Sequence, residues 1–230
     1  MVVDLVPLAR ARRDASHADR QAGLIPLAEQ TGLIAPLTDW VLAEAVRQGR
    51  AWQRDGLRLD VSVNLSMWNL HDPALPERVA GLLRDHGLPP AWLRLELTES
   101  ALMADPDRAL EVLTRLAGLG GRLAVDDFGA GYSSLAYLNK LPVDALKIDK
   151  GFVHELATDA TDAAIVASTV GLRHALGLRV VAEGIEDQAT WELLAGMGCD
   201  VAQGYYLARP RPLPPEALVR RLREAPWAVV

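Results

Sequence analysis

Polar side chains that could hold a cation stand at the ends of several short apolar runs. In L-A-V-D-D-F-G (123–129), Asp126 and Asp127 end such a run and precede a glycine-rich stretch. Aspartate and glycine also favour turns, so the pair alone is equally typical of an ordinary turn. Other runs end in further polar residues, namely Asn64, Glu96, Lys147, Asp149, Glu183, Glu186 and Gln203. So many acidic groups in one place would repel one another unless a cation lay among them.

The residue types indicate which cation and which chemistry. Carboxylate and amide oxygens are typical ligands of hard divalent ions such as Mg²⁺ and Mn²⁺. Adjacent aspartates at a strand end that is already turning predict a two-metal site, with ions about 3.5–4 Å apart holding the attacking and leaving oxygens of a phosphodiester. Lys147 would then orient the attacking water or neutralise developing charge. The alternative is a simple ion pair between Lys147 and Asp149.

These residues must be positioned by a regular alternation of strands and helices. Runs rich in Val, Leu and Ile predict strands at 61–65, 92–97, 122–126, 145–149, 179–183 and 200–203 and a weaker one at 2–8, with helices at 35–54, 76–86, 106–118, 160–176, 188–197 and 214–223. Thr38 or Asp39 is the expected N-cap of the first helix. Regular alternation through one chain favours a (β/α) barrel, whose strand ends meet on one rim where active sites lie.

Composition restricts the classes of protein. The 230 residues are half apolar, which suffices for a single domain over 1–230. The net charge of −6 argues against binding to DNA. Cys199 is the only cysteine, which fits a reducing, cytoplasmic setting. No apolar run approaches the roughly 20 residues needed to span a bilayer, and the N-terminus lacks a signal-peptide pattern. We therefore expect a cytoplasmic protein that makes no contact with a membrane.

Six segments, in order along the chain, resemble the motifs of the EAL domain family of bacterial cyclic di-GMP phosphodiesterases. They are V-N-L-S (63–66), E-L-T-E-S (96–100), D-D-F-G-A-G-Y-S-S (126–134), L-K-I-D (146–149), V-A-E-G-I-E (181–186) and Q-G-Y (203–205). The resemblance covers residues 24–213, after a divergent segment at 1–23. It implies an α/β fold, a modified (β/α)8 TIM-like barrel without its first strand. It also implies hydrolysis of cyclic di-GMP to pGpG with Mg²⁺ or Mn²⁺.

The resemblance also implies a role for each strand-end residue. It assigns Asn64, Glu96, Asp126, Asp127 and Glu183 to two metal ions, Lys147, Glu99 and Asp149 to catalysis, and Leu8, Arg10, Glu186 and Gln203 to the substrate. Asp126 is shared by both ions. Lys147 matches the lysine that holds the catalytic water, with Asp149 as a neighbouring support. Glu99 resembles the glutamate that anchors the loop 128–134, which the family uses to couple the metal site to a dimer surface.

The chain departs from the family at the motif that gives the family its name. Counting back from the matched segment 24–34, the Glu-Ala-Leu-x-Arg motif falls on V-P-L-A-R (6–10). Val6 therefore stands in place of the glutamate, while Leu8 and Arg10 remain. Because valine cannot bind a metal, the first ion loses a charged ligand.

Three functional alternatives follow from this departure. The chain is an active phosphodiesterase in which Asp4 or Asp14 substitutes for the missing ligand, a catalytically inactive receptor for cyclic di-GMP, or a module that acts through protein contacts alone. A barrel without one strand exposes two sheet edges. We therefore expect a homodimer, formed through the loop after Asp127. An upstream sensor, a GGDEF-type domain or a partner protein would supply the regulatory input.

Overall fold

The structure is a computed structural model that describes residues 2–4, 24–57, 59–129 and 135–207. Within these ranges the strands are β1 (Val2–Asp4), β2 (Asp60–Leu65), β3 (Leu93–Thr98), β4 (Arg122–Phe128), β5 (Ala145–Ile148), β6 (Arg179–Ala182) and β7 (Val201–Ala202). Strands that are neighbours along the chain pair with each other. The pairs β1–β2, β4–β5, β5–β6 and β6–β7 are parallel. Sequential order with parallel pairing is the topology that the strand–helix alternation predicts.

Helices connect these strands in the same described ranges. They are α1 (Leu24–Gln30), α2 (Ile34–Arg54), α3 (Met67–Leu70), α4 (Leu75–His86), α5 (Glu99–Ala104), α6 (Pro106–Gly118), α7 (Leu135–Leu138), α8 (Lys150–His154), α9 (Ala160–Leu176) and α10 (Gln188–Gly196). The long helices α2, α4, α6, α9 and α10 confirm the predicted ones to within a residue at each end. The predicted helix at 214–223 lies outside the described residues. No helix in the described ranges is both long and apolar enough to cross a membrane.

The expected N-cap of α2 is wrong. The helix begins at Ile34, and Leu33 occupies the N-cap position without a side-chain hydrogen bond. Thr38 instead lies inside the helix, where it is buried, and its hydroxyl donates to Oδ1 of Asn69 at 3.2 Å. The helix therefore already includes the apolar residues that precede Thr38 and Asp39, such as the buried Ile34.

The chain divides into two compact units. The described residues of the first unit are 2–4, 24–57, 59–95 and 118–122. Its described core is formed by α2 side chains such as Leu42 and Val46, which are fully buried together with Val61 of β2. Asp60, at the start of β2, forms ion pairs with the guanidinium groups of Arg94 and Arg122. The prediction of a single domain over the whole chain stays a prediction.

The described residues of the second unit are 96–117, 123–129 and 135–207, which include the end of β3, β4 from Leu123 onward and all of β5 to β7. Its core includes Ile148 of β5, Val170 of α9 and Val180 of β6, each at most 2% exposed. Parallel pairing aligns β5 and β6 so that Lys147 lies beside Val181. Between β4 and β5 the register shifts after Val125, at the position of the two aspartates. The carboxyl ends of these three strands and of β3 carry the residues that form the candidate site.

Candidate functional site

Lys147 is the centre of a cluster of carboxylates in the second unit. It lies on β5 with only 4% of its surface exposed. Its Nζ atom lies 2.6 Å from Oε2 of Glu96 and 3.0 Å from Oδ2 of Asp126, and it donates a hydrogen bond to each. A third carboxylate oxygen, Oε1 of Glu183, lies 2.5 Å from the same nitrogen and forms an ion pair with it. One buried ammonium therefore faces three carboxylates from three different strand ends.

The pKa values of this cluster follow from burial and charge. Burial alone would lower the pKa of Lys147, but the carboxylates of Glu96, Asp126 and Glu183 outweigh it and raise that pKa. Burial also raises the pKa of Glu183 to about 7, because the lowering effect of Lys147 is opposed by the negative charge of Asp126. Lys147 is thus charged at neutral pH, while the site holds more negative charge than one ammonium can balance.

The two adjacent aspartates lie on the irregularity at the end of β4. Asp127 has a φ of 52°, in the left-handed region that residues with a side chain rarely adopt. Its backbone N–H donates to Oδ1 of Asp126 at 3.0 Å. Partial burial, together with the charges of Asp126 and Asp149, raises the pKa of Asp127 to about 6. The bulge thus breaks the strict alternation of strand side chains, and both carboxylates belong to one charged cluster.

Asp149 supports this cluster from the start of α8. It is the N-cap of that helix, and its Oδ1 accepts a hydrogen bond from the Gly151 N–H at 2.8 Å. Asp149 is also one of the charges that act on Asp127. The alternative in which Lys147 pairs with Asp149 is wrong, because the ion pairs of Lys147 with described residues are those with Glu96, Asp126 and Glu183.

Glu99 holds the turn that follows the two aspartates. It is the first residue of α5, whose N-cap, Thr98, accepts a hydrogen bond from the Ala101 N–H. Glu99 is 95% buried, since its exposed fraction is 5%, and its Oε2 accepts a hydrogen bond from the Gly129 N–H at 3.2 Å. The contact lies at the start of the loop 128–134, and the assignment of Glu99 to catalysis stays a prediction. Residues 130–134 of that loop lie outside the described residues.

A backbone contact that sequence analysis missed fixes the segment after Glu183. The N–H of Ile185 donates to the carbonyl of Gln203 at 3.2 Å, and the N–H of Tyr206 donates to the carbonyl of Ile185 at 3.0 Å. A Cβ atom on Gly204 would lie 2.1 Å from that Ile185 carbonyl oxygen, so only glycine fits there. The Q-G-Y motif was the available signal, but sequence analysis used only its glutamine.

The remaining predicted site residues are placed as follows. Asn64 lies on β2, in the first unit, with an exposed side chain. Glu186 is exposed, and Gln203 is half-buried. Leu8 and Arg10, like Val6 and the proposed substitute Asp14, lie outside the described residues. The assignment of Asn64 to a metal and of Glu186 and Gln203 to the substrate stays a prediction.

The family model described as EAL domain matches residues 6–210. The chain belongs to the EAL domain family. The bifunctional diguanylate cyclase/cyclic di-GMP phosphodiesterase MucR of Pseudomonas aeruginosa is 48% identical to this EAL domain over 190 residues, which are 82% of the chain and 28% of MucR. The chain thus spans little more than a quarter of that relative.

Solved structures of EAL proteins have the same fold as this EAL domain. A structure of the PaMucR phosphodiesterase in complex with c-di-GMP matches with a TM-score of 0.81 and 46% identity, covering 83% of this chain and 78% of that one. The EAL domain of Mycobacterium smegmatis DcpA matches with a TM-score of 0.76 and 36% identity, covering 83% and 85%. The predicted α/β fold of the modified (β/α)8 TIM-like type is confirmed. The predicted lack of a first strand stays a prediction.

The donors of this EAL domain fit a divalent ion in chemical type and in charge. Three convergent carboxylates and the adjacent Asp127 carry oxygen atoms of the type that such ions prefer, and their combined charge exceeds that of Lys147. In the described residues no group of three or more His, Cys, Asp or Glu side chains is already arranged around a point that a metal ion could take. The point on which the three carboxylates converge is instead the ammonium of Lys147.

Proposed function

We propose that this EAL domain hydrolyses cyclic di-GMP to linear pGpG and that it requires Mg²⁺ or Mn²⁺. The observation that carries the proposal is the convergence of Glu96, Asp126 and Glu183 on the buried ammonium of Lys147. Membership of the EAL family supports the substrate, because MucR is named as a cyclic di-GMP phosphodiesterase and PaMucR was solved with c-di-GMP. The activity of this chain is inferred from these relatives and from its own charged cluster.

Electrostatics explain why a metal is part of the proposal. A phosphodiester is an anion, and a site with an excess of carboxylates would repel it. Burial, together with the same excess of negative charge, raises the pKa values of Asp127 and Glu183. We assign Glu96, Asp126, Asp127 and Glu183 as the ligands. The bound ions would supply Lewis acidity and would lower the pKa of a water molecule.

Lys147 has the properties of a residue that orients the attacking water. Its ammonium is buried and held by three carboxylates, and it carries its proton at neutral pH because its pKa is raised. An ammonium has three donors, and in this structure all three face carboxylates, so a donor would become available to a water oxygen when one of these carboxylates binds a metal ion instead. Its charge would also stabilise negative charge that develops on the phosphate oxygens. Asp149 fixes the start of the segment that follows Lys147.

A second candidate function is a catalytically inactive receptor for cyclic di-GMP. The specific observation in its favour is Val6, which occupies the place of the family's glutamate ligand. Loss of one ligand weakens metal binding more than it weakens contacts to the nucleotide. Such a receptor would bind cyclic di-GMP and leave it intact.

One experiment separates the two functions. The chain is incubated with cyclic di-GMP and Mn²⁺, and nucleotides are resolved by chromatography. Hydrolysis yields pGpG, and Glu96→Gln should abolish it, whereas Glu111→Gln on the exposed face of α6 should not. Calorimetry with Ca²⁺ then measures binding without turnover. Unchanged nucleotide together with measurable binding would refute the enzyme and favour the receptor.

We include association and control in the proposal. The chain would act as a homodimer that uses the loop 128–134, regulated by an upstream sensor, a GGDEF-type domain or a partner protein. Sedimentation at increasing protein concentration tests the first part. A single monomeric species at high concentration would refute the homodimer.

A further inference from the structure

The short helix α8 packs against the segment that follows Glu183. It begins directly after β5, and its first residue is Lys150. A Cβ atom on Gly184 would lie 2.8 Å from the Cβ atom of Lys150 and 3.4 Å from its Cα atom, which leaves no room for a side chain. Gly184 also has a φ of 78°, in the left-handed region that glycine favours. The segment after Glu183 therefore lies in close contact with the start of α8.

The aromatic ring of Phe152, also in α8, contacts the turn that follows the two aspartates. A Cβ atom on Gly129 would lie 3.2 Å from Cε2 of Phe152 and 3.9 Å from its Cδ2 and Cζ atoms, so the edge of the ring lies against Gly129. Phe152 is half-buried, and it also packs against the core cluster that includes Ile148 and Val170. The ring therefore connects the core of the second unit to the Gly129 turn.

The turn needs this contact because Asp127 has a strained backbone. Among the residues that the structure describes, Asp127 is the only one other than glycine with a positive φ. A residue with a side chain persists in this conformation only where the surrounding structure fixes it. Two contacts fix Gly129, two positions further on, namely the hydrogen bond to Glu99 and the ring of Phe152. Loss of the ring would allow the backbone of Asp127 to relax and its carboxylate to move.

We propose that Phe152 is a positioning residue whose ring holds the Gly129 turn and thereby keeps the carboxylate of Asp127 in the charged cluster. It acts through the backbone of the turn and not by contact with substrate or metal. Because α8 contacts both this turn and the segment after Glu183, it also fixes the separation of two proposed metal ligands. The consequence for metal binding rests on the proposed function, whereas the effect on the turn does not.

Amide hydrogen exchange of the full chain in EDTA, followed by ¹H–¹⁵N spectroscopy, tests the effect on the turn. The exchange rate at Gly129 is divided by the rate at Val180, whose amide donates a hydrogen bond within the same unit. Phe152→Leu removes the ring edge and should raise this ratio by about tenfold or more. The control is Trp191→Leu in α10, because Trp191 is also half-buried and packs against the same core. This control lowers overall stability but should not raise the ratio.

Calorimetric titration with Mn²⁺ tests the consequence for metal binding. Residues that orient metal ligands typically contribute about 10–100-fold to metal affinity, so Phe152→Leu should bind Mn²⁺ more weakly than the wild type by a factor in this range. Trp191→Leu should bind Mn²⁺ as tightly as the wild type does. A role confined to core packing would affect the melting temperature of both variants and the Mn²⁺ affinity of neither.

Two outcomes would overturn the positioning role. These are an unchanged exchange ratio in Phe152→Leu and an equal increase of that ratio in Trp191→Leu. If Phe152→Leu does not fold, Phe152→Met takes its place, since methionine keeps more of the side-chain volume but has no ring, and the same outcomes apply. A wild-type chain that binds no Mn²⁺ and forms no pGpG would refute the proposed function. A raised exchange ratio in Phe152→Leu would still support the positioning of the turn in that case.

Discussion

Replacement of Lys147 by methionine tests the charged cluster through stability. Methionine is of similar length but has no charge, so Glu96, Asp126 and Glu183 would face one another without the ammonium that now lies 2.5–3.0 Å from each. Removing one partner of a buried ion pair typically costs about 3–5 kcal/mol. In a protein of this size each kcal/mol lowers the melting temperature by about 2–4 °C, so we expect a decrease of roughly 6–20 °C.

Thermal unfolding in EDTA at pH 7.5 measures this loss, with Lys140→Met as the control. Lys140 is an exposed lysine in the turn after α7, so its replacement should leave the melting temperature nearly unchanged. The deficit of Lys147→Met should shrink at lower pH, because protonation of the carboxylates removes their repulsion. Equal melting temperatures for the two variants, or a decrease for Lys147→Met that does not depend on pH, would refute the electrostatic reasoning.

Three further predictions concern the same unit. Because the pKa of Glu183 is raised from 4.5 to about 7, its contribution to the free energy of unfolding is complete below pH 4.5 and is lost as pH rises to about 7. The melting temperature measured in EDTA should therefore fall over this pH range, and Glu183→Gln should remove that fall. Gly204→Ala places a Cβ atom against the Ile185 carbonyl and should lower the free energy of unfolding by roughly 1–3 kcal/mol, measured by denaturant titration. Gly171 in α9 has open space around it, so Gly171→Ala should not lower the free energy of unfolding. Thr98→Ala removes the N-cap of α5 and should lower the free energy of unfolding by about 1 kcal/mol. A variant as stable as the wild type would contradict a stabilising role for this cap.

The fold could be predicted because its elements are regular. The long helices α2, α4 and α6 have amphipathic patterns, and several long helices have clear ends, such as Gly87 and Gly177, which adopt the left-handed conformation at the helix C-termini. The short helices α1, α3, α5, α7 and α8 were missed because four to seven residues are too few for a periodic pattern. The N-cap of α2 was misplaced because Thr38 is an N-cap residue by type, whereas its neighbours favour burial in the helix.

The candidate site could be located from sequence, but its contacts could not. Strand-end position alone indicates that Asp126, Lys147 and Glu183 lie near one another. It does not reveal that the Lys147 ammonium takes the centre of the carboxylates, because that depends on the shift of register within β4. The close approach of Gly204 to Ile185 also depends on tertiary structure, since the two residues are separated by 18 intervening positions in the sequence.

The most direct test of the central claim is hydrolysis of cyclic di-GMP in H₂¹⁸O with Mn²⁺, followed by mass spectrometry of the product. The wild-type chain should form pGpG with one ¹⁸O atom on its terminal phosphate. Lys147→Met should form no pGpG, whereas Lys140→Met should form as much as the wild type. Intact cyclic di-GMP after incubation with the wild-type chain would contradict the account. Labelled product formed equally fast by Lys147→Met would contradict the role of the cluster.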